Sequence, residues 1–84
     1  MGRSGQVSSH DVDMFASMMY VILVHGALES SYTDRLSGMS ISVSETPDGP
    51  RTTLAGVLVD QAALQGVLKT LYDLGLPVLS VTSA

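Results

Sequence analysis

Tyr20-Val21-Ile22-Leu23-Val24 runs directly into His25-Gly26. Five apolar residues in succession, with no polar alternation, read as a strand covered on both faces. Such a strand belongs in the middle of its sheet, and His25-Gly26 ends it. The rest of the fold is assembled around this expectation.

Downstream, Ser30-Ser31-Tyr32-Thr33-Asp34-Arg35-Leu36 ends at Ser37-Gly38. A serine cap, Asp34 in the first turns and a terminal glycine predict a short helix of about two turns. Met39-Ser40-Ile41-Ser42-Val43-Ser44 alternates apolar and serine residues, which puts Met39, Ile41 and Val43 on one face of a strand and the serines on the other. Thr46-Pro47-Asp48-Gly49 supplies turn residues, and Thr52 to Val59 is the returning strand of a hairpin. Asp60 then caps a helix whose Leu64, Val67, Leu68, Leu71 and Leu74 form one apolar stripe. Gly75 and Pro77 stop it, and Pro77 to Thr82 is the last strand, with its proline at the first position where a missing N–H is tolerated.

The resulting order, β-α-β-β-α-β, predicts an α+β domain. Its expected form is a ferredoxin-like βαββαβ sandwich, a four-stranded antiparallel sheet with two helices on one face. Upstream, residues 1–18 open with the small, polar stretch Met1 to Ser9, and His10, Asp11 and Asp13 interrupt the place where a signal peptide would be apolar. They read as a flexible leader, with a short helix near Asp11 to Met18 as an alternative, so the domain is expected over 19–84.

Composition narrows the function classes. With no cysteine there are no disulfides, thiolate metal sites or cysteine nucleophiles, which suits a reducing cytoplasm. Four basic residues stand against eight acidic ones, a net charge of −4. Nucleic-acid binding needs a basic stripe, and Arg3, Arg35, Arg51 and Lys69 are scattered. The longest apolar run, Met18 to Val24, is about a third of the roughly 20 residues that span a bilayer. Neither nucleic acid nor membrane is an expected partner.

Residues with chemical potential are few. His25, at the end of the central strand, with Gly26, Ala27 and Ser31 in the following turn, is the candidate binding site for a small ligand or anion. The plainer reading is a strand-end histidine beside an ordinary turn. No second histidine or carboxylate is placed to complete a metal site, so no metal and no cofactor is expected. No Gly-x-Ser-x-Gly elbow or phosphate loop occurs, and no catalytic residue is assigned. Gly66 lies inside the predicted helix at a cost of up to ~1 kcal/mol against alanine. Either close packing within the chain or contact with another subunit explains it.

The sheet face away from the helices is the candidate interface. With one strand apolar on both sides and helices for only one, large side chains remain for a partner. Tyr20, Ile22 and Val24 are assigned to that face, with Ser40, Ser42, Ser44 and Val78. The expected partner is a second copy in a homodimer, or another protein.

The segments Val59-Asp60-Gln61-Ala62-Ala63-Leu64 and Leu71-Tyr72-Asp73-Leu74-Gly75-Leu76-Pro77-Val78-Leu79-Ser80-Val81 resemble a group of small uncharacterised bacterial, actinobacterial-type βαββαβ hypothetical proteins. That resemblance implies a cap, a helix, a glycine stop and a strand, and no reaction. By topology the chain is also similar to ACT-type regulatory domains, which implies amino-acid or small-anion binding at strand–helix turns. The functions expected are thus a non-enzymatic oligomerisation or interaction module, an ACT-like ligand-binding domain, or a minimal dimeric α+β barrel enzyme, in that order.

Overall fold

The computed structural model describes residues 18–83. Of the expected leader, residues 1–17 lie outside the described residues, as does the proposed short helix. Met18 is the first residue of β1 (Met18–His25) and pairs with Leu58, so the first strand begins one residue before the expected boundary.

Next come a 3-10 helix (Ser30–Leu36), β2 (Ser40–Thr46), β3 (Gly49–Leu58), α1 (Gln61–Asp73) and β4 (Val78–Ser83). The four strands form one sheet in the order β2-β3-β1-β4, with every neighbouring pair antiparallel. The fold is α+β. β1 is central, as its unbroken apolar run requires, and β3 is the other central strand.

The first helix is tighter than expected. Seven residues give too few α-helical bonds to repay nucleation, and a 3-10 turn satisfies the backbone over a shorter span. Its cap position is Glu29, not Ser30, and no side chain caps it. Ser37 and Gly38 both take left-handed conformations to turn the chain into β2.

The local signals around α1 act as read. The Asp60 carboxylate accepts the Ala63 N–H at 2.8 Å, satisfying one of the helix's open donors. At the other end the Leu76 N–H reaches the Leu71 carbonyl and the Gly75 N–H reaches that of Tyr72, both at 3.0 Å. This six-to-one and five-to-two pair needs a left-handed residue at the joint, which Gly75 supplies at φ +75°. Leu64, Val67 and Leu71 are buried, with Leu68 and Leu74 packed beside them.

Cross-strand partners share a face, so the register decides the core. Tyr20, Ile22 and Val24 lie opposite Gly56, Leu54 and Thr52. They meet Leu28 from the turn after β1, Leu36 from the 3-10 helix and Leu64, Val67 and Leu71 from α1 in one cluster, so both helices cover the same sheet face. Gly56 leaves room there: a Cβ on it would stand 3.1 Å from the Met39 Cα.

The assignment of Tyr20, Ile22 and Val24 to the interface is therefore corrected. They are core residues, and Met19, Val21 and Leu23 point the other way. The five-residue run is apolar on both faces, so periodicity cannot choose between the alternate sets. Val78 is corrected too: it pairs with Val24 and so lies on the helix face. A bulge between the Leu23 and Val24 pairings leaves Leu79 without a β1 partner, which brings both Val78 and Val81 to that side.

A Cβ added at Gly66 would meet no heavy atom of the described residues within 4 Å, so packing among them does not explain the glycine. Gly66→Ala is expected to raise stability by up to ~1 kcal/mol, read as a higher Tm. A fall in Tm would show that the open side of α1 is occupied in solution.

Candidate functional site

The described residues offer two surfaces to weigh, the turn after β1 and the outer sheet face. The turn is organised by a buried hydroxyl. Thr52 is fully buried on the core face of β3, where its Oγ1 donates to the Gly26 carbonyl at 2.6 Å and accepts the Leu28 N–H at 3.1 Å. The Gly26 N–H donates to the Pro50 carbonyl at 2.8 Å. Both backbone groups of Gly26 are thus committed, and the residue sits at φ +110° with Leu76 Cδ2 only 2.9 Å from where a Cβ would be. The turn is a rigid connection with no free Gly26 amide for an anion.

The four residues expected to share a ligand site are not brought together. His25 is exposed and lies across from Arg51 on the outer face. Ala27 lines a hollow of about 250 Å³ with Leu28, Glu29, Tyr32, Leu74 and Leu76. Ser31 lines a different one, about 470 Å³, with Leu28, Glu29, Ser30, Ile41 and Val43. His25 and Gly26 line neither. Glu29 stands in both, so an anion would meet a carboxylate at the entry to the 3-10 helix, and the Ser31 hydroxyl is 3.4 Å from that carboxylate.

Among the described residues, no group of three His, Asp or Glu side chains is placed to hold a metal ion. No helix there is long and apolar enough to cross a membrane.

The outer face has a clear pattern. Down its middle run Met19, Val21 and Leu23 of β1, opposite Val57, Ala55 and Thr53 of β3. Met19 is 40% exposed and Val57 is 59% exposed, although both belong to central strands. On one flank lie Ser40, Ser42 and Ser44 of β2, all exposed, paired with Ala55, Thr53 and Arg51. The other flank is Ser80 and Thr82 of β4, paired with Leu23 and Val21. The serines thus fall where their alternation puts them. Ser40 spends its hydroxyl on the Ala55 carbonyl at 3.0 Å, which leaves a smoother surface.

Charge is confined to one end. Among the described strand residues on this face, Arg51 and His25 lie together at the β1 C-terminus, and no Asp or Glu is present. Position-by-position reading misses Met19, Val21, Leu23 and Val57 as interface candidates. The signal that finds them is the parity of β3, where Leu54 and Leu58 alternate with Ala55 and Val57.

Comparison with curated proteins and with solved structures returns no match. One family model matches residues 19–82, and it covers every strand and both helices just described apart from the terminal residues of β1 and β4. That match spans well over half of the chain, which therefore belongs to the family described as Domain of unknown function (DUF8691).

Proposed function

We propose that this chain is a non-enzymatic, cytoplasmic oligomerisation module with a ferredoxin-like sandwich, which associates with a second copy through the outer face of its sheet. The strand order β2-β3-β1-β4 with antiparallel neighbours supports the ferredoxin-like reading. The observation that carries the functional reading is the apolar stripe of Met19, Val21, Leu23, Ala55 and Val57, bordered by hydroxyls and free of carboxylates. An apolar stripe with a polar rim has the anatomy of an interface.

A second copy suits this face on size and charge. Four strands about 4.8 Å apart and about 24 Å long cover roughly 450 Å² in projection, and more once the side chains corrugate it. That approaches the roughly 600–800 Å² per partner of the smaller stable interfaces. At about 25 cal/mol per Å², covering the stripe contributes several kcal/mol before the cost of association. A twofold axis lying in the plane of the face and across the strands sets the Arg51 ends of the two copies apart, so the face meets itself without clustering charge. Ala27 and Ser31 line separate hollows and His25 lines neither, which favours association over the ligand-sensor reading.

Val57→Glu tests the reading. Val57 is exposed and belongs to the stripe, so the variant is expected to fold with a stability change within about 0.5 kcal/mol. It introduces a carboxylate that stacking would bury without a partner. Its mass by light scattering is expected to be half that of the unaltered protein. An unchanged mass would remove the face as the site of association.

A further inference from the structure

We propose that β4 is a second association surface, pairing antiparallel with β4 of another copy to extend the sheet from four strands to eight. The inference is carried by different atoms from those of the stacking face, namely the open backbone edge of the sheet and the side chains along it.

The backbone geometry identifies the free groups. His25 donates its N–H to the Pro77 carbonyl on the β4 side, whereas Gly26 donates to the Pro50 carbonyl on the β3 side. The pairing of β1 with β3 is unbroken from Met18 to His25, so odd-numbered residues of β1 turn their backbone groups toward β4 and even-numbered ones toward β3. Leu23 and Val21 therefore bond with their partners Ser80 and Thr82. Ser80 and Thr82 face inward, and the intervening Val81 points its N–H and C=O outward from the sheet.

Among the described residues, the side chains leave this edge unprotected. Natural edge strands are usually blunted by charges, prolines or a covering element. Val78-Leu79-Ser80-Val81-Thr82-Ser83 has no charged residue and no proline. Val78, Leu79 and Val81 are each two-fifths to one-half exposed. Val81 pairs with the fully buried Ile22 and lies on the same face, yet it is 42% exposed, so the helix layer covers β4 only in part. The opposite edge, β2, includes Glu45 and ends at Pro47.

A second copy fits because the strand is complementary to itself. Antiparallel pairing about a twofold axis normal to the sheet at Val81 sets Val81 against its own copy and Leu79 against Ser83, with no like charges opposed. Both helix layers then lie on one side, and the partner's layer helps to cover the margin at Val78 and Val81. Both outer faces lie on the other side, side by side. Stacking adds a twofold axis at right angles to the first, and the combination closes at four copies.

The experiment is light scattering on four forms of the full chain. The unaltered protein is expected at four copies, Val57→Glu at two, Val81→Pro at two, and the double variant at one. Proline at 81 removes an outward N–H and leaves the bonds to β1 in place. Leu79→Lys, which keeps every backbone donor, is expected to give the same halving if Val81→Pro fails to fold. Because the chain has no cysteine, Val81→Cys introduces a single thiol. In the Val57→Glu background it is expected to give a disulfide-linked dimer that reductant separates. A monomeric Val57→Glu protein would overturn the edge pairing, and so would a mass that neither Val81→Pro nor Leu79→Lys lowers in that background. Loss of mass only on altering β4, with Val57→Glu silent, would overturn the stacking face and leave the edge standing.

Discussion

Thr52→Val is expected to destabilise the protein by about 2–4 kcal/mol, although it changes neither size nor shape. The Thr52 hydroxyl joins the Gly26 carbonyl and the Leu28 N–H across the start of the turn after β1. Leu28 is buried, so its N–H has no water to replace the lost acceptor. An unpartnered buried backbone group costs about 1–3 kcal/mol, and valine orphans the buried Leu28 N–H and also takes the donor from the part-buried Gly26 carbonyl. In a domain of this size each kcal/mol lowers Tm by about 4–8 °C, so a fall of at least about 8 °C is expected. Thr52→Ser keeps the hydroxyl and loses one methyl group, at about 1 kcal/mol. Thermal melting of the three proteins should therefore rank them wild type, serine, valine. A valine variant as stable as the serine one would show that the hydroxyl does not hold the turn.

Ile22→Ala is expected to cost about 3–4 kcal/mol, whereas Leu23→Ala next to it costs less than about 1.5 in dilute protein. Ile22 is fully buried between Leu54 of β3 and Val81 of β4, beneath both helices. Its truncation opens a cavity that close-packed neighbours cannot fill. Leu23 faces outward between Thr53 and Ser80 and is only partly covered. Its effect is expected to grow with protein concentration, as association buries it. Denaturant titration at low and high concentration separates the two. Equal costs in dilute protein would mean that the faces of β1 are assigned the wrong way round.

Much of the architecture is legible in the sequence because its signals are local. The alternation from Met39 to Ser44 puts the serines on the outer face. Asp60 and Gly75 mark the ends of α1 because capping bonds reach only a few residues. The candidate interface is legible as a surface but not as a set of residues. Tyr20, Ile22 and Val24 are expected there and lie in the core, because a run apolar on both sides has no preferred face. Val78 departs from its expected side because the bulge at Leu79 interrupts the two-residue period. Thr52 has a readable signal: it shares parity with the core residues Leu54 and Leu58, and a hydroxyl among leucines calls for a partner.

The amino-acid order by itself determined the element sequence, the hairpin, the limits of the long helix and the central place of β1, since each follows from neighbours along the chain or from how much apolar surface a strand carries. Only the tertiary structure decided which side of β1 the helices cover, and that the cover over β4 is partial. Those outcomes depend on the pairing of β1 with β3 and on one unpaired residue in β4. Strand register is a long-range choice, and in a strand with two equally apolar faces the chain has no local means of making it.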